Sequence, residues 1–263
     1  MILVALAEQV FDTGTVAVPV SAPDLAALRL LGDRVRPLAG AGERTLPVPE
    51  ALGDLLPHGG LARGTTVATG GVAATSLALA LAGPVTVAGS WVVVVGLPQV
   101  GLLAAAELGV DLERVLLVAE PGPAAWATTV AALLDAVEIV LVRPPSQVGV
   151  SVQRRLTSRA RDRGSVLLQV GGHTGAWAQA PDLVVSASAA TWAGLGPGHG
   201  RLRARRVEVT VTGRRGADRP RRATLWLPGP DGTITLADPL ATGRPGAVAA
   251  VAPVTSPALR DAG

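Results

Sequence analysis

The sequence predicts an α/β fold: a mostly parallel sheet with helices on both faces and a C-terminal antiparallel hairpin. Three observations carry this. From Leu46 onward, short β-branched apolar runs alternate with helical patterns. Between Arg63 and Glu107 no charged residue occurs, as expected of strands buried on both faces. Near the end the pattern changes to alternating strands, Arg203 to Thr212 (RARRVEVTVT) and Ala223 to Leu227 (ATLWL), around the arginine-rich turn GRRGADRPRR.

Residues 1–46 read as an N-terminal extension with a helical pattern from Ala22 to Leu31, where Leu25, Leu28 and Leu31 share a face. Residues 47–228 form the core domain. The stretch from Gly59 to Ala82 reads as a turn, a buried strand over Thr66 to Thr69, the glycine pair Gly70 and Gly71, and a helix from about Ala73. Ser90 to Gly96 (SWVVVVG) is the next strand, followed by a helix over Gln99 to Leu108 and the strand Val115 to Val118. A helix near Ala124 to Ala136 is entered through Pro121 and Pro123, because proline suits the first helical turn. The strand Glu138 to Val142, the helix Gln147 to Arg163 and the strands Val166 to Val170 and Leu183 to Ala187 complete the alternation. A short strand at Thr233 to Leu236 follows the turn PGPDG. Residues 229–263, rich in alanine, proline and glycine, are expected to be a flexible tail or to order on a partner.

Composition narrows the function classes. A chain of 263 residues can bury a sizeable core. With no cysteine there is no disulfide framework and no thiolate metal site, and the expected compartment is the cytoplasm. His58, His173 and His199 are scattered beside glycines and give no ligand spacing, so no metal is expected. The charge-free stretch is cut by Gly70, Gly71, Gly83, Pro84, Gly89, Gly96 and Pro98 into pieces shorter than the ~20 residues of a membrane span. The start, MILVALAEQVFD, has no basic region and does not read as a secretory signal. No order of serine, histidine and aspartate suggests nucleophilic catalysis; Asp111, Glu113 and Glu120 read as solvated loop ends.

The glycine pair sits where many α/β proteins carry a phosphate loop, in which backbone N–H groups and a helix N-terminus cradle phosphates. The working form G-x-x-x-x-G-K-[ST] needs a lysine and a hydroxyl. All 23 basic residues of this chain are arginine, so no lysine can serve. Gly70 and Gly71 retain backbone donors for weak ATP binding, or simply turn the chain between strand and helix.

The segments ALGDLLPHGGLARGTTVATGG, AELGVDLERVLLVAEP, VEIVLVRPP and RVEVTVTGRRGADRPRRATLWL, in this order from about Leu46 to Pro228, together resemble the RecA-like ATPase core and specifically the ImuA family of SOS mutagenesis accessory proteins. The resemblance implies a RecA-like fold of the P-loop NTPase type. It places Ala74 or Leu77 at the lysine, Thr75 or Ser76 at the magnesium hydroxyl, and Arg143 at the Walker B aspartate. The catalytic glutamate falls within Gly96 to Gln99, which has no carboxylate, and the γ-phosphate-sensing glutamine near Gly171 and Gly172. Phosphoryl transfer depends on positioned charge, so no ATP hydrolysis and no resident cofactor are expected. By the same resemblance the chain is an adaptor in translesion synthesis. Its implied partners are an ImuB-like inactive Y-family polymerase and, through it, an error-prone DNA polymerase III alpha subunit, and the chain is nucleoid-associated when recruited. Alternatives are a recombination mediator that binds single-stranded DNA and a residual ATPase.

Charge is unevenly distributed. Residues 1–142 hold 6 arginines against 13 acids, and residues 143–222 hold 15 against 4. Such a basic region suits a polyanion or an acidic partner, or is a solvated face in an arginine-only composition. The candidate surface comprises Arg154, Arg155 and Arg159 on one helix. It continues with Arg201, Arg203, Arg205, Arg206, Arg214, Arg215, Arg219, Arg221 and Arg222 on the hairpin and its turn. In RecA-like filaments that hairpin reaches a neighbouring subunit's nucleotide, and Arg215 matches a lysine there. Five tryptophans and one phenylalanine, none interleaved with the arginines as a stacking platform, speak against base readout.

Overall fold

The computed structural model describes residues 2–5, 18–19, 44–145, 148–171, 179–196, 199–214 and 216–237. The chain opens with β1 (Ile2–Ala5), β2 (Val18–Pro19) and β3 (Thr45–Leu46), then the single-turn helix α1 (Glu50–Gly53), β4 (Leu61–Ala62), β5 (Thr66–Gly71) and α2 (Ala74–Val87). Next come β6 (Val92–Val95), α3 (Leu102–Glu107), β7 (Val115–Val118), α4 (Pro123–Ala136), β8 (Ile139–Val142), α5 (Val150–Arg163) and β9 (Val166–Val170). The strands β10 (Leu183–Gly196), β11 (His199–Gly213), β12 (Arg221–Trp226) and β13 (Thr235–Leu236) end the described chain.

Apart from a small β3–β4 pair, the strands form one sheet in the order β13-β12-β11-β10-β5-β9-β8-β6-β7-β1-β2. From β10 to β2 neighbours run parallel; from β10 to β13 they run antiparallel. Period-2 alternation gives the parallel strands two apolar faces. Val92 and Val94 of β6 join α2 and α3 residues such as Leu77, Leu81 and Ala105 in one core, whereas Val93 and Val95 join Trp126, Leu133 and Leu156 of α4 and α5 in the other. The α/β class, the mostly parallel sheet, the helices on both faces and the C-terminal antiparallel hairpin are thus as the sequence predicts. Among the described residues no helix is long and apolar enough to cross a membrane.

Four elements differ from the sequence expectation. The apolar start joins the sheet: β1 runs parallel to β7, with Leu3 opposite Leu117. The helix over Ala22 to Leu31 lies outside the described residues. The helix expected to stop at Ala82 continues through Pro84 to Val87. Gly83 lets this added turn pack closely: a Cβ there would meet the carbonyl oxygens of Leu108 and Gly109 at 3.1 Å. The Thr86 hydroxyl donates to the Gly83 carbonyl at 2.6 Å and accepts the Asp111 N–H at 2.9 Å, which ties the last turn to the chain before β7.

The third difference is the length of β10. Leu183 to Ala187 was expected as a strand, but β10 runs to Gly196 and pairs antiparallel with β11, which itself starts at His199 rather than Arg203. Beyond Ala187 β10 has left β5, and beyond Arg205, which exchanges backbone hydrogen bonds with Leu227 and Pro228, β11 has left its other neighbour; the outer parts of the two strands form a two-stranded arm. The fourth is the start of the expected flexible tail: the strand predicted over Thr233 to Leu236 is present as β13, but the residues around it pack against the sheet. Residues 229–237 carry a turn and β13, and Ala237 is buried, its N–H donating to the Thr224 carbonyl at 2.9 Å. Residues 238–263 lie outside the described residues.

Candidate functional site at the β5–α2 junction

The glycine pair does not form a loop of its own. Gly70 and Gly71 are the last residues of β5, paired with Ser186 and Ala187 of β10, and only Val72 and Ala73 separate the strand from α2. Gly71 has φ +77, which turns the chain and brings its Cα against β10, while the Val72 N–H donates to the Ala187 carbonyl at 3.0 Å. Thr75 and Ser76 lie in the first turn of α2, whose N-cap Ala73 offers no side-chain acceptor. Backbone N–H groups of a first turn have no intrahelical partner and carry a positive partial charge.

A guanidinium occupies this junction. Arg205 of β11 was expected on the basic surface, and the structure corrects that: the residue is only 9% exposed. It lies in phase with Val207, Val209 and Val211, whose side chains enter the core. Its Nε donates to the Leu227 carbonyl at 2.8 Å and its Nη2 to the Ser76 Oγ at 2.8 Å, with a longer Nη1 contact to the Val72 carbonyl at 3.4 Å. The guanidinium also stacks on Trp192, 5.0 Å from the ring centroid. Burial pushes the guanidinium below its ordinary range, yet arginine remains charged. A cation at a helix N-terminus opposes the macrodipole; three acceptors and an indole face offset that cost. Chemically the junction therefore presents a tied cation and a hydroxyl already accepting a hydrogen bond. Among the described residues no cluster of three or more histidines and carboxylates stands ready for a metal ion.

A second feature lies where the chain leaves adjacent strands in opposite directions, β6 toward β7 and β8 toward β9, the place where α/β sheets open a crevice. Gly96 and Arg143 follow these strands; the Arg143 N–H donates to the Val95 carbonyl at 3.2 Å and the Gly96 N–H to the Val118 carbonyl at 3.1 Å. The Arg143 side chain is exposed. Glu120, from the end of β7, comes close: a Cβ on Gly96 would lie 3.9 Å from its Cγ. Glu120 is exposed, as expected of a solvated loop end, and the parallel pairing of β6 with β7 sets it beside Gly96.

The remaining arginines do not form one free surface. On α5, Arg154 and Arg155 are exposed, but Arg159 makes two hydrogen bonds to the Asp135 carboxylate of α4 and Arg163 donates to it at 2.9 Å. Arg214 donates to the Ala180 carbonyl and lies 3.7 Å from Asp182, and Arg221 donates to the Asp54 and Leu56 carbonyls. Arg201, Arg203, Arg219 and Arg222 are exposed and Arg206 half-buried. Arg215, Gly172, His173 and Trp177 lie outside the described residues.

Burial works to raise the Asp135 carboxyl, but the hydrogen bonds and charges of Arg159 and Arg163 outweigh it and hold the group below its ordinary value. A depressed carboxylate stabilises the fold above its unfolded pKa of about 4, and that contribution is lost as pH falls through the lower folded value. Asp135→Asn is therefore expected to lower stability near pH 7 and to flatten the acid side of a stability-against-pH curve from urea titrations; an unchanged acid limb would show that the clamp contributes nothing.

Two comparisons with known proteins bear on this site. A family model described as the MT3502 N-terminal domain matches residues 54–179, which take in β4 to β9 and the β5–α2 junction. Uncharacterized protein Rv3395c of Mycobacterium tuberculosis (strain ATCC 25618 / H37Rv) is 35% identical over 140 residues, covering 52% of this chain and 67% of that protein. The chain belongs to the same family as Rv3395c, with a region matching the MT3502 N-terminal domain.

Proposed function

We propose that this protein is a RecA-like accessory protein without ATP turnover that serves as an adaptor in SOS translesion synthesis. The observation that carries the reading is the β5–α2 junction. A two-residue connection leaves no glycine-rich loop to wrap a triphosphate, and Arg205 sits on the first turn of the following helix. Arg143 stands after β8, where the resemblance puts a metal-binding aspartate. A core of this kind works by docking: it carries no cofactor and holds an ImuB-like inactive polymerase, and through it an error-prone polymerase III alpha subunit, in the cytoplasm near the nucleoid. Residues 238–263, which continue from β13, are the segment proposed to engage that partner. Co-expression with an ImuB-like protein, followed by affinity and size-exclusion chromatography, is expected to give a stable complex that is weakened at least tenfold on removing residues 238–263, with the thermal midpoint of the core unchanged. Full-strength co-purification by the truncated chain would sink the proposed role of that segment, and no complex with either chain would sink the adaptor reading.

A second reading, a mediator that binds single-stranded DNA, draws on the exposed Arg201, Arg203, Arg219 and Arg222. Its signature is an affinity that falls steeply with salt, because phosphate contacts release counterions.

A further inference from the structure

The arm formed by β10 and β11 beyond the sheet holds two irregularities that place side chains rather than extend pairing. At its base Ala189 takes φ +45, a left-handed conformation that non-glycine residues adopt at a cost, and the register shifts between Ser188 and Ala190. Further out the register moves from Ala193 opposite Ala204 to Leu195 opposite Gly200, so that Arg201, Leu202 and Arg203 bulge against the single residue Gly194. Bulges of this kind re-aim side chains. Here Arg201 and Arg203 line a shallow hollow together with His199, Gly194 and Gly200. Both arginines are exposed, and among the described residues neither has an ion pair. Beside them Leu195 is 39% and Leu202 51% exposed.

We infer that this bulged arginine pair, with Leu195 and Leu202, is a docking site for an acidic segment of a partner protein that carries apolar residues beside its carboxylates. Arginine forks match carboxylate geometry, and two unpaired guanidinium groups on a thin arm supply the complementary charge. Exposed leucines next to them favour a protein segment over a nucleic acid. Bases would need a free ring to stack on, and the ring on the described part of the arm, Trp192, is covered by the Arg205 guanidinium. A second copy of the chain is disfavoured, since two such arms would bring arginine against arginine.

This deepens the adaptor reading and rests on it, but it concerns the arm and not residues 238–263, so the two fail separately. The test is selection of a random twelve-residue phage-displayed library on the full-length protein, followed by fluorescence anisotropy of the enriched peptides, with a twenty-nucleotide oligo-dT as the second probe. Enriched peptides are expected to carry Asp or Glu beside Leu, Ile or Phe. They should lose at least tenfold in affinity with Arg201→Ala/Arg203→Ala and several-fold with Leu202→Ser, and hold their affinity with Arg154→Ala/Arg155→Ala. Circular dichroism of each variant checks that the sheet is retained. Enrichment without an acidic pattern, no enrichment, or peptide affinity indifferent to Arg201 and Arg203 would overturn the site. So would oligo-dT binding that depends on those two arginines while the peptides do not.

Discussion

Gly71→Ala is expected to destabilise the fold by roughly 3 kcal/mol or more, because two costs coincide at one atom. The residue sits at φ +77, where an alanine pays for a left-handed backbone, and its Cβ would fall on the Ala187 carbonyl, with the carbonyl carbon at 2.9 Å and the amide nitrogen at 3.2 Å. Neither neighbour is a flexible side-chain end. Both belong to the β5–β10 pairing through which the parallel strands join the antiparallel ones. Gly89→Ala separates the two costs: φ is +88 there but nothing lies within 4 Å of a built Cβ. Strain alone predicts a loss of about 1 kcal/mol at Gly89. In thermal melts the Gly71 variant should fall on the order of 10 °C and the Gly89 variant by a few degrees. Equal shifts would mean that the close approach of β5 to β10 costs nothing.

Glu138→Ala is the second large effect. The Glu138 side chain is 8% exposed and accepts from Nη1 and Nη2 of Arg63 at 3.1 Å each and from the Ser90 hydroxyl at 3.1 Å. Removing one partner of a buried pair costs about 3–5 kcal/mol, and Arg63, with 23% of its side chain exposed, recovers some hydration, which puts the expected loss at about 3 kcal/mol. Glu138→Gln keeps the shape and some of the hydrogen bonds and should cost roughly half as much. The double change Arg63→Met/Glu138→Leu should regain most of the loss in urea titrations. A double variant as unstable as the sum of its parts would show that the pair does not act as a unit.

The parallel half of the sheet is legible in the sequence because its strands are buried on both faces and therefore written in continuous valine, leucine and isoleucine. Val115–Val118 and Val166–Val170 have the expected bounds. The outer part of β10 is not legible, since Ser188 to Gly196 (SASAATWAGLG from Ser186) is small and glycine-rich and is held by pairing with β11 rather than by local preference. The start of the chain shows the reverse problem: Ile2 to Ala5 is apolar enough for a strand, but only its pairing with β7 makes it one. Arg205 is hidden among its neighbours Arg203 and Arg206 by identity, yet its phase gives it away. In RVEVTVT the valines alternate toward the core, and continuing that alternation backward from Val207 lands on Arg205, which faces inward while Arg206 faces out. The same phase reaches Arg203 and Arg201, where the arm has left the core behind and the bulge frees them.

On the proposed reading the β5–α2 junction, with its two-residue connection and Arg205, does not support ATP turnover. Phosphate release from Mg-ATP by the purified protein, with and without single-stranded DNA, tests this most directly. No release above buffer is expected, unchanged by Thr75→Ala or Ser76→Ala. Turnover that DNA stimulates and that either substitution abolishes would contradict it, and would mean that the junction opens to a working phosphate site.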